Sequence, residues 1–156
     1  MKYAASTSVS SEQSKSEIEM ILRRYGADQF LSGWRDGQAM IGFRMSNKMI
    51  RFLVPLPSIS DKGIALNGWG HKRRQDQIEK AFDQACRQRW RALALVVKAK
   101  LEAVECGIAT FEEEFMAHIV LPGTNRTLGE EILPRIDQAY KTGKLPSLEW
   151  GGGKGV

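Results

Sequence analysis

From residue 28 to residue 55, apolar side chains recur at every second position, which is the period of a β-strand. An Asp36-Gly37 pair separates two of these runs, and two-residue hairpin turns favour Asp-Gly. Putting this pair in the turn keeps the faces of both strands in agreement, so we predict a hairpin in this register. The resulting cross-strand pairs are Trp34 with Ala39, Ser32 with Ile41 and Phe30 with Phe43.

A third strand is predicted at residues 49–55, after a turn centred on Asn47 and Lys48. This turn keeps the apolar faces together and places Arg44 directly opposite Arg51 on the outer face. Pro55-Leu56-Pro57 ends the sheet, because proline cannot continue a β-ladder. The sequence therefore predicts a three-stranded antiparallel meander. Its second set of inner pairs is Met45 with Ile50 and Phe43 with Phe52.

Helices are predicted on both sides of the meander. Ser14 or Ser16 caps an N-terminal helix that runs to about Tyr25 and stops at Gly26. After a long polar loop, residues 58–74, apolar residues return at helical spacing through residues 76–105 and predict one long central helix. Its apolar stripe consists of Ile78, Phe82, Trp90, Leu93, Ala94, Val97, Leu101 and Val104.

Short elements complete the predicted fold. Thr110 opens a short helix by a capping box, residues 118–121 are predicted as a short strand, and Thr127 with Glu130 opens a last helix. The fold class is therefore α+β: an N-terminal helix, a three-stranded antiparallel meander, a long central helix, then short C-terminal helices. We predict a single domain at residues 1–142 and a flexible C-terminal tail at residues 143–156.

Composition limits the setting in which the chain works. With 42% hydrophobic and 26% charged residues, the chain can bury a core without metals or disulfides. No apolar run approaches the ~20 residues of a membrane span, and residues 1–16 contain no apolar region of the kind found in signal peptides. Cys86 and Cys106 lie about 30 Å apart along the predicted central helix, so we expect two free, buried thiols. These observations predict a cytoplasmic protein without a membrane partner.

The sequence contains no recognisable catalytic centre. Its two histidines, His71 and His118, are isolated, and no pattern of metal-ligand spacing accompanies them. Three acidic residues at 112–114 lie in a first helical turn, where the helix dipole favours negative charge. The strands at 38–55 contain no Asp or Glu that could hold Mg²⁺, and no phosphate-binding glycine loop occurs. We therefore predict no catalytic residue, no cofactor and no metal, and regard an enzyme as the minority interpretation.

The positive charge is the stronger lead. The chain carries a formal net charge of +5, which favours an anionic partner such as nucleic acid. Three arginines fall on the outer face of the predicted meander, and three basic residues follow a tryptophan in the long loop. Carboxylates from other elements, or water, are the alternative partners for these charges. The candidate nucleic-acid-binding residues are Arg35, Arg44, Arg51, Trp69, Lys72, Arg73 and Arg74.

Several segments together resemble a family of small proteins encoded by phages and prophages, and the resemblance covers nearly the whole chain. The segments are Arg24-Tyr-Gly-Ala, Ile41-Gly-Phe, Arg51-Phe-Leu-Val-Pro-Leu-Pro, Arg87-Gln-Arg-Trp-Arg-Ala-Leu, Lys98-Ala-Lys-Leu-Glu-Ala-Val-Glu-Cys-Gly-Ile and Phe111-Glu-Glu-Glu-Phe. The family has no agreed activity. The resemblance implies a context of phage DNA metabolism or counter-defence in the cytoplasm of a host cell, and it assigns no catalytic residue.

Two functions follow as hypotheses. The first is a non-enzymatic protein that binds nucleic acid, single-stranded DNA first, through backbone contacts. The second is a protein-binding module that inhibits a host defence complex. The outer face also carries Leu31, Met40 and Leu53, which predict that it could pack on a second copy of the chain.

Overall fold

The computed structural model describes residues 4–145 and confirms the predicted α+β class and order of elements. Of the tail predicted at 143–156, residues 146–156 lie outside the described residues, as do residues 1–3. The helices are α1 (Ser11–Arg24), α2 (Lys62–Ala65), α3 (Gln75–Glu105), α4 (Phe111–Phe115) and α5 (Leu128–Thr142), and a 3₁₀ turn covers Met116–His118. The strands are β1 (Gln29–Arg35), β2 (Gln38–Met45) and β3 (Lys48–Pro55), and they form one antiparallel sheet in the order β1-β2-β3.

The first hairpin has the predicted register. Trp34 lies opposite Ala39, and Phe30 lies opposite Phe43. Asp36 and Gly37 form the two-residue turn with φ values of 51° and 75°. Two successive left-handed residues are the conformation of a type I′ turn, whose twist matches that of the strands.

The predicted register of the second hairpin is wrong. Ser46 and Asn47 form its turn, with φ values of 50° and 59°, so that Lys48 already belongs to β3. Arg44 therefore lies opposite Met49, and Arg51 lies opposite Gly42, rather than opposite each other. The shift is two residues, which is one full period of a strand, so every side chain keeps the face that the sequence predicts.

The core lies between the inner face of the sheet and helices α1, α3 and α4. Ile41 and Phe43 of β2 are fully buried, as is Ile50 of β3. Trp90, predicted as a core residue, is buried on α3. Phe115 of α4 packs edge-to-face against Phe43, with ring centroids 5.8 Å apart, a geometry that aromatic pairs favour.

Helix α3 extends past one end of the sheet. Glu102, near its C-terminal end, accepts a hydrogen bond of 2.8 Å from Tyr25, which precedes β1. Arg89 donates a 2.7 Å bond to the carbonyl oxygen of Pro55, at the end of β3 beside the Asp36-Gly37 turn. At 1.5 Å per residue, the part of α3 before Arg89 projects about 20 Å beyond that end of the sheet.

Helix α1 begins earlier than predicted. Ser10 is its N-cap, accepting from the Gln13 N–H at 3.1 Å while the Gln13 side chain accepts from the Ser10 N–H. Ser14, a predicted cap, lies inside the helix and is fully buried. A glutamine at the third helical position completes a capping box as a glutamate does.

The predicted strand at residues 118–121 is replaced by the 3₁₀ turn and two isolated β-bridges, Ile50 with Ile119 and Val120 with Thr127. The His118 ring stacks on Phe52 with centroids 3.9 Å apart, and burial lowers the pKa of this histidine. His118 is therefore a packed residue. The capping boxes at Thr110 and Thr127 are present as predicted.

The cysteines are both free, but the prediction that both are buried is wrong. Cys86 is partly buried on α3, and burial raises the pKa of its thiol. Cys106 is exposed, because it is the C-cap residue of α3 and lies where the chain turns away from the core.

Helix α5 is attached to the rest of the fold by a close backbone approach. A Cβ atom on Gly129, in its first turn, would lie 2.7 Å from the carbonyl oxygen of Ala117 in the 3₁₀ turn. Real side chains do not tolerate that distance, so glycine is required for α5 to lie where it does.

We expect Gly129→Ala to lower the free energy of unfolding by about 2 kcal/mol, because α5 must move away from the 3₁₀ turn. Urea denaturation measures this change. Gly63→Ala is the matched control, since a Cβ there meets nothing within 4 Å. Equal denaturation midpoints for the two variants would contradict the proposed close approach.

Candidate nucleic-acid interface

The three arginines predicted on the outer face of the sheet do lie on that face, but each has a carboxylate neighbour. Arg35, beside the first hairpin turn, contacts Asp36 at 3.1 Å, and both side chains are almost fully exposed. Such an exposed pair contributes little to stability and leaves the guanidinium accessible. Arg35 therefore remains available for an anionic ligand.

Arg44 is held by Asp28, the residue just before β1. Its Nε donates to both carboxylate oxygens, at 2.8 and 3.1 Å. These hydrogen bonds from Arg44 lower the pKa of Asp28, and the same pairing raises the pKa of Arg44. Most of the binding capacity of this guanidinium is thus used within the chain.

Arg51 is a structural residue. Only 13% of its side chain is exposed, and its guanidinium donates to Glu130 at 2.9 Å and to the Asn125 side-chain and backbone oxygens at 2.9 and 3.0 Å. Glu130 belongs to α5, so this arginine joins the outer face of β3 to the last helix. The sequence left open that carboxylates of other elements, and not a ligand, are the partners of these arginines. This is the case for Arg44 and Arg51.

The other four candidate residues lie together in a segment we call the tip loop, residues 67–74, between α2 and α3. Asn67 organises it: its side-chain oxygen accepts from the N–H groups of Trp69 and His71, both at 3.0 Å. The Asn67 N–H donates to the His71 carbonyl at 2.8 Å, and the Arg73 N–H donates to Ala65 at 2.9 Å. The loop is therefore a hydrogen-bonded turn, although the sequence predicted only a long polar loop.

Trp69 lies at the end of this turn and is 86% exposed. Lys72 is exposed and Arg73 half-buried, and neither forms an ion pair within residues 4–145. Arg74 caps α3, and its side chain, largely exposed, approaches Asp76 only to 3.5 Å. The tip loop thus presents an aromatic face and three cations that the described part of the chain leaves largely free.

A second exposed tryptophan was missed by the sequence analysis. Trp34 lies on the inner face of β1 but is 82% exposed, because its cross-strand neighbour Ala39 is small and no helix of the described residues covers that corner. It borders a cleft of about 410 Å³ between the sheet, α1 and α3. The Lys15 amine lies 4.7 Å from the Trp90 ring at the floor of this cleft, a cation–π contact. The sequence signal for this exposure is the position of Trp34 beside a hairpin turn.

Within residues 4–145, no group of three or more His, Cys, Asp or Glu side chains is placed to hold a metal ion. No helix in this part of the chain is long and apolar enough to cross a membrane.

Comparison with protein-family models, curated proteins and solved structures finds no match to this chain.

We expect Arg51→Ala to lower the free energy of unfolding by about 2 kcal/mol, because it removes the arginine partner of the partly buried Glu130 and the link to the exposed Asn125. Arg44→Ala is the matched control, and it should change stability much less, since water reaches both members of its ion pair. Thermal or urea unfolding of the two variants provides the comparison. A larger loss for Arg44→Ala would contradict the structural role given to Arg51.

Proposed function

We propose that this protein binds single-stranded nucleic acid through the tip loop, without catalysis and without strong sequence preference. The observation that carries the proposal is Trp69, an almost fully exposed indole held on a hydrogen-bonded turn beside Lys72, Arg73 and Arg74. Exposing a large apolar ring to water is unfavourable, so a ligand that covers it gains free energy.

The chemistry of the tip loop fits a single strand better than a duplex. Stacking on an indole requires an accessible base face, and only unpaired bases offer one. Lysine and arginine side chains contact phosphates without reading the sequence. Arg35 is a further cation for the same strand, because it lies at the end of the sheet from which β3 leads towards the tip loop.

The resemblance to small phage and prophage proteins adds the biological setting that we propose, which is phage DNA metabolism in the cytoplasm of the host cell. No residue role in the proposal depends on this resemblance.

We expect the wild-type protein to bind a labelled single-stranded oligonucleotide in a fluorescence anisotropy titration at low salt, with an affinity that falls steeply as salt is added. Trp69→Ala should weaken binding roughly tenfold, which is the loss of one stacked base. Replacing Lys72 and Arg73 together by glutamate should weaken binding further and reduce the salt dependence.

Lys98→Glu serves as the control for these charge reversals, because Lys98 is exposed on α3, outside the tip loop. Its effect should be small at equal salt. If the wild-type protein does not bind single-stranded DNA or RNA at low salt, the proposal fails. If Lys98→Glu weakens binding as much per charge as the tip-loop variants, the general charge of the protein, and not this loop, would be responsible.

A second candidate function, binding to a host protein, is favoured by α5. Leu133, Ile136 and Tyr140 recur at helical spacing, so they share one face, and all three are exposed. Amphipathic helices commonly dock such a face into a groove of a partner.

We expect a host protein bound in this way to be retained from lysate after nuclease treatment and to be lost when Leu133 and Tyr140 are both replaced by serine. The tip-loop variant Trp69→Ala is the control and should retain it. A partner lost on nuclease treatment, or retained by the α5 variant, would contradict this second function.

A further inference from the structure

Strand β1 forms one edge of the sheet, and its hydrogen-bonding groups on that side are open. A two-residue hairpin makes Arg35 and Gln38 its last hydrogen-bonded pair, so alternate residues of β1 bond to β2. The residues between them, Phe30, Ser32 and Trp34, therefore direct their N–H and C=O groups away from β2, towards the open edge of the sheet. Within residues 4–145, none of these backbone groups has a hydrogen-bond partner.

The opposite edge of the sheet is treated differently. The N–H of Val120 donates to the Met49 carbonyl of β3 at 2.8 Å, and Ile119 forms a β-bridge with Ile50. Part of the β3 edge is therefore covered by the chain itself. On the β1 side, no β-bridge within residues 4–145 joins the strand to any segment other than β2.

Strand β1 has few of the features that usually keep an open edge from pairing. Natural edge strands carry lysines, prolines or bulges, whereas β1 has no proline, its one charged residue is Arg35 at the last position, and its pairing with β2 is continuous. Three of its side chains are aromatic or large and aliphatic, and Leu31 and Trp34 are exposed. An edge of this kind is suited to receive another strand.

The sequence of β1 suits antiparallel pairing with the β1 strand of a second copy, with Ser32 at the centre of the pair. In an antiparallel pair centred there, Ser32 faces Ser32 of the other copy, and Phe30 faces Trp34. Aromatic pairs across strands are stabilising. Leu31 would face Gly33 on the outer side of the sheet. The same arrangement exists within the chain, where Leu31 lies opposite Gly42 and a Cβ atom on Gly42 would lie 3.3 Å from the Leu31 side chain. Gln29 would face Arg35, so no like charges meet.

The alternation of backbone hydrogen-bonding groups along β1 agrees with a strand pair centred on Ser32. Phe30, Ser32 and Trp34 are the residues whose backbone groups point outward, and they are also the residues that pair with one another in this register. Each such pair of an antiparallel ladder exchanges two hydrogen bonds. We propose that two copies of this chain join through their β1 strands, antiparallel about Ser32, into one continuous six-stranded sheet.

The test is the mass of the full-length protein in solution, measured by sedimentation equilibrium over a range of concentrations. We expect a wild-type dimer. Ser32→Pro should raise its dissociation constant by roughly 100-fold, because proline removes an outward N–H at the centre of the interface and leaves the bonds to β2 in place. Ser32→Lys should also favour the monomer, since it sets two positive charges opposite each other.

Ser32→Thr and Gln138→Lys are the matched controls. Threonine keeps the backbone donor and suits a strand, and Gln138 lies on α5, so its replacement adds the same charge away from β1. Both variants should remain dimeric. Circular dichroism shows whether the Ser32 variants stay folded, and Ser32→Lys decides the matter if the proline variant does not.

A wild-type protein that stays monomeric at the highest soluble concentration would overturn the proposal. So would a dimer that Ser32→Lys and Ser32→Pro leave intact, because the contact would then lie elsewhere, with the apolar face of α5 as the next surface to test. Neither outcome depends on nucleic-acid binding, so this inference and the proposed function can fail independently.

Discussion

The burial of one face of the sheet against α3 and α4 is the constraint on which the rest of the structure depends. Phe43 and Ile50 lie directly opposite each other and are fully buried, and Phe115 closes the cluster with edge-to-face contacts to Phe43 and to Phe52. Because side chains alternate along a strand, burying this face fixes which residues emerge on the other. The position of every outer arginine is therefore a consequence of core packing.

Core packing does not decide what those arginines contact. Glu130 reaches Arg51 from α5, and Asp28 reaches Arg44 from the segment before β1. Burying a guanidinium requires compensating acceptors, and the Glu130 carboxylate and the Asn125 oxygens supply them for the two terminal nitrogens of Arg51, whereas its buried Nε has no partner within residues 4–145. Two of the three arginines that the sequence places on the outer face are thus engaged within the chain, and Arg35 is the one that stays accessible. The other accessible cations among the candidate residues lie on the tip loop, where no described element supplies a matching number of carboxylates.

The sequence predicts features whose causes are local. The Asp36-Gly37 turn and the Thr110 capping box each depend on a few adjacent residues, and both are present. The second hairpin was mispredicted because a period of two cannot distinguish registers that differ by two residues. Only the left-handed conformations of Ser46 and Asn47 decide between them.

Features that depend on distant residues were beyond sequence reasoning. The contact between Arg51 and Glu130 joins residues far apart in the chain, and no local pattern indicates it. The exposure of Trp34 has the same origin, since it depends on which part of the sheet α1 and α3 lie beneath. Trp69 was easier, because a tryptophan among glycines in a polar loop has few apolar neighbours to cover it. The sequence around Trp69 therefore favoured its exposure, whereas the contacts of Arg51 and the exposure of Trp34 required knowledge of packing.

The two proposed surfaces constrain each other geometrically. Strands joined antiparallel through β1 point in opposite directions, so the two Asp36-Gly37 turns would lie at opposite ends of the six-stranded sheet. The tip loops lie beyond those ends, since the first part of α3 projects past them. A strand of seven residues spans about 24 Å, so the two tip loops would be separated by more than that distance. A short oligonucleotide could then occupy only one loop at a time, whereas a longer one could bridge both and gain affinity from its effective concentration at the second loop. A dimer of this form would favour long single strands over short ones even though each tip loop makes the same contacts with both.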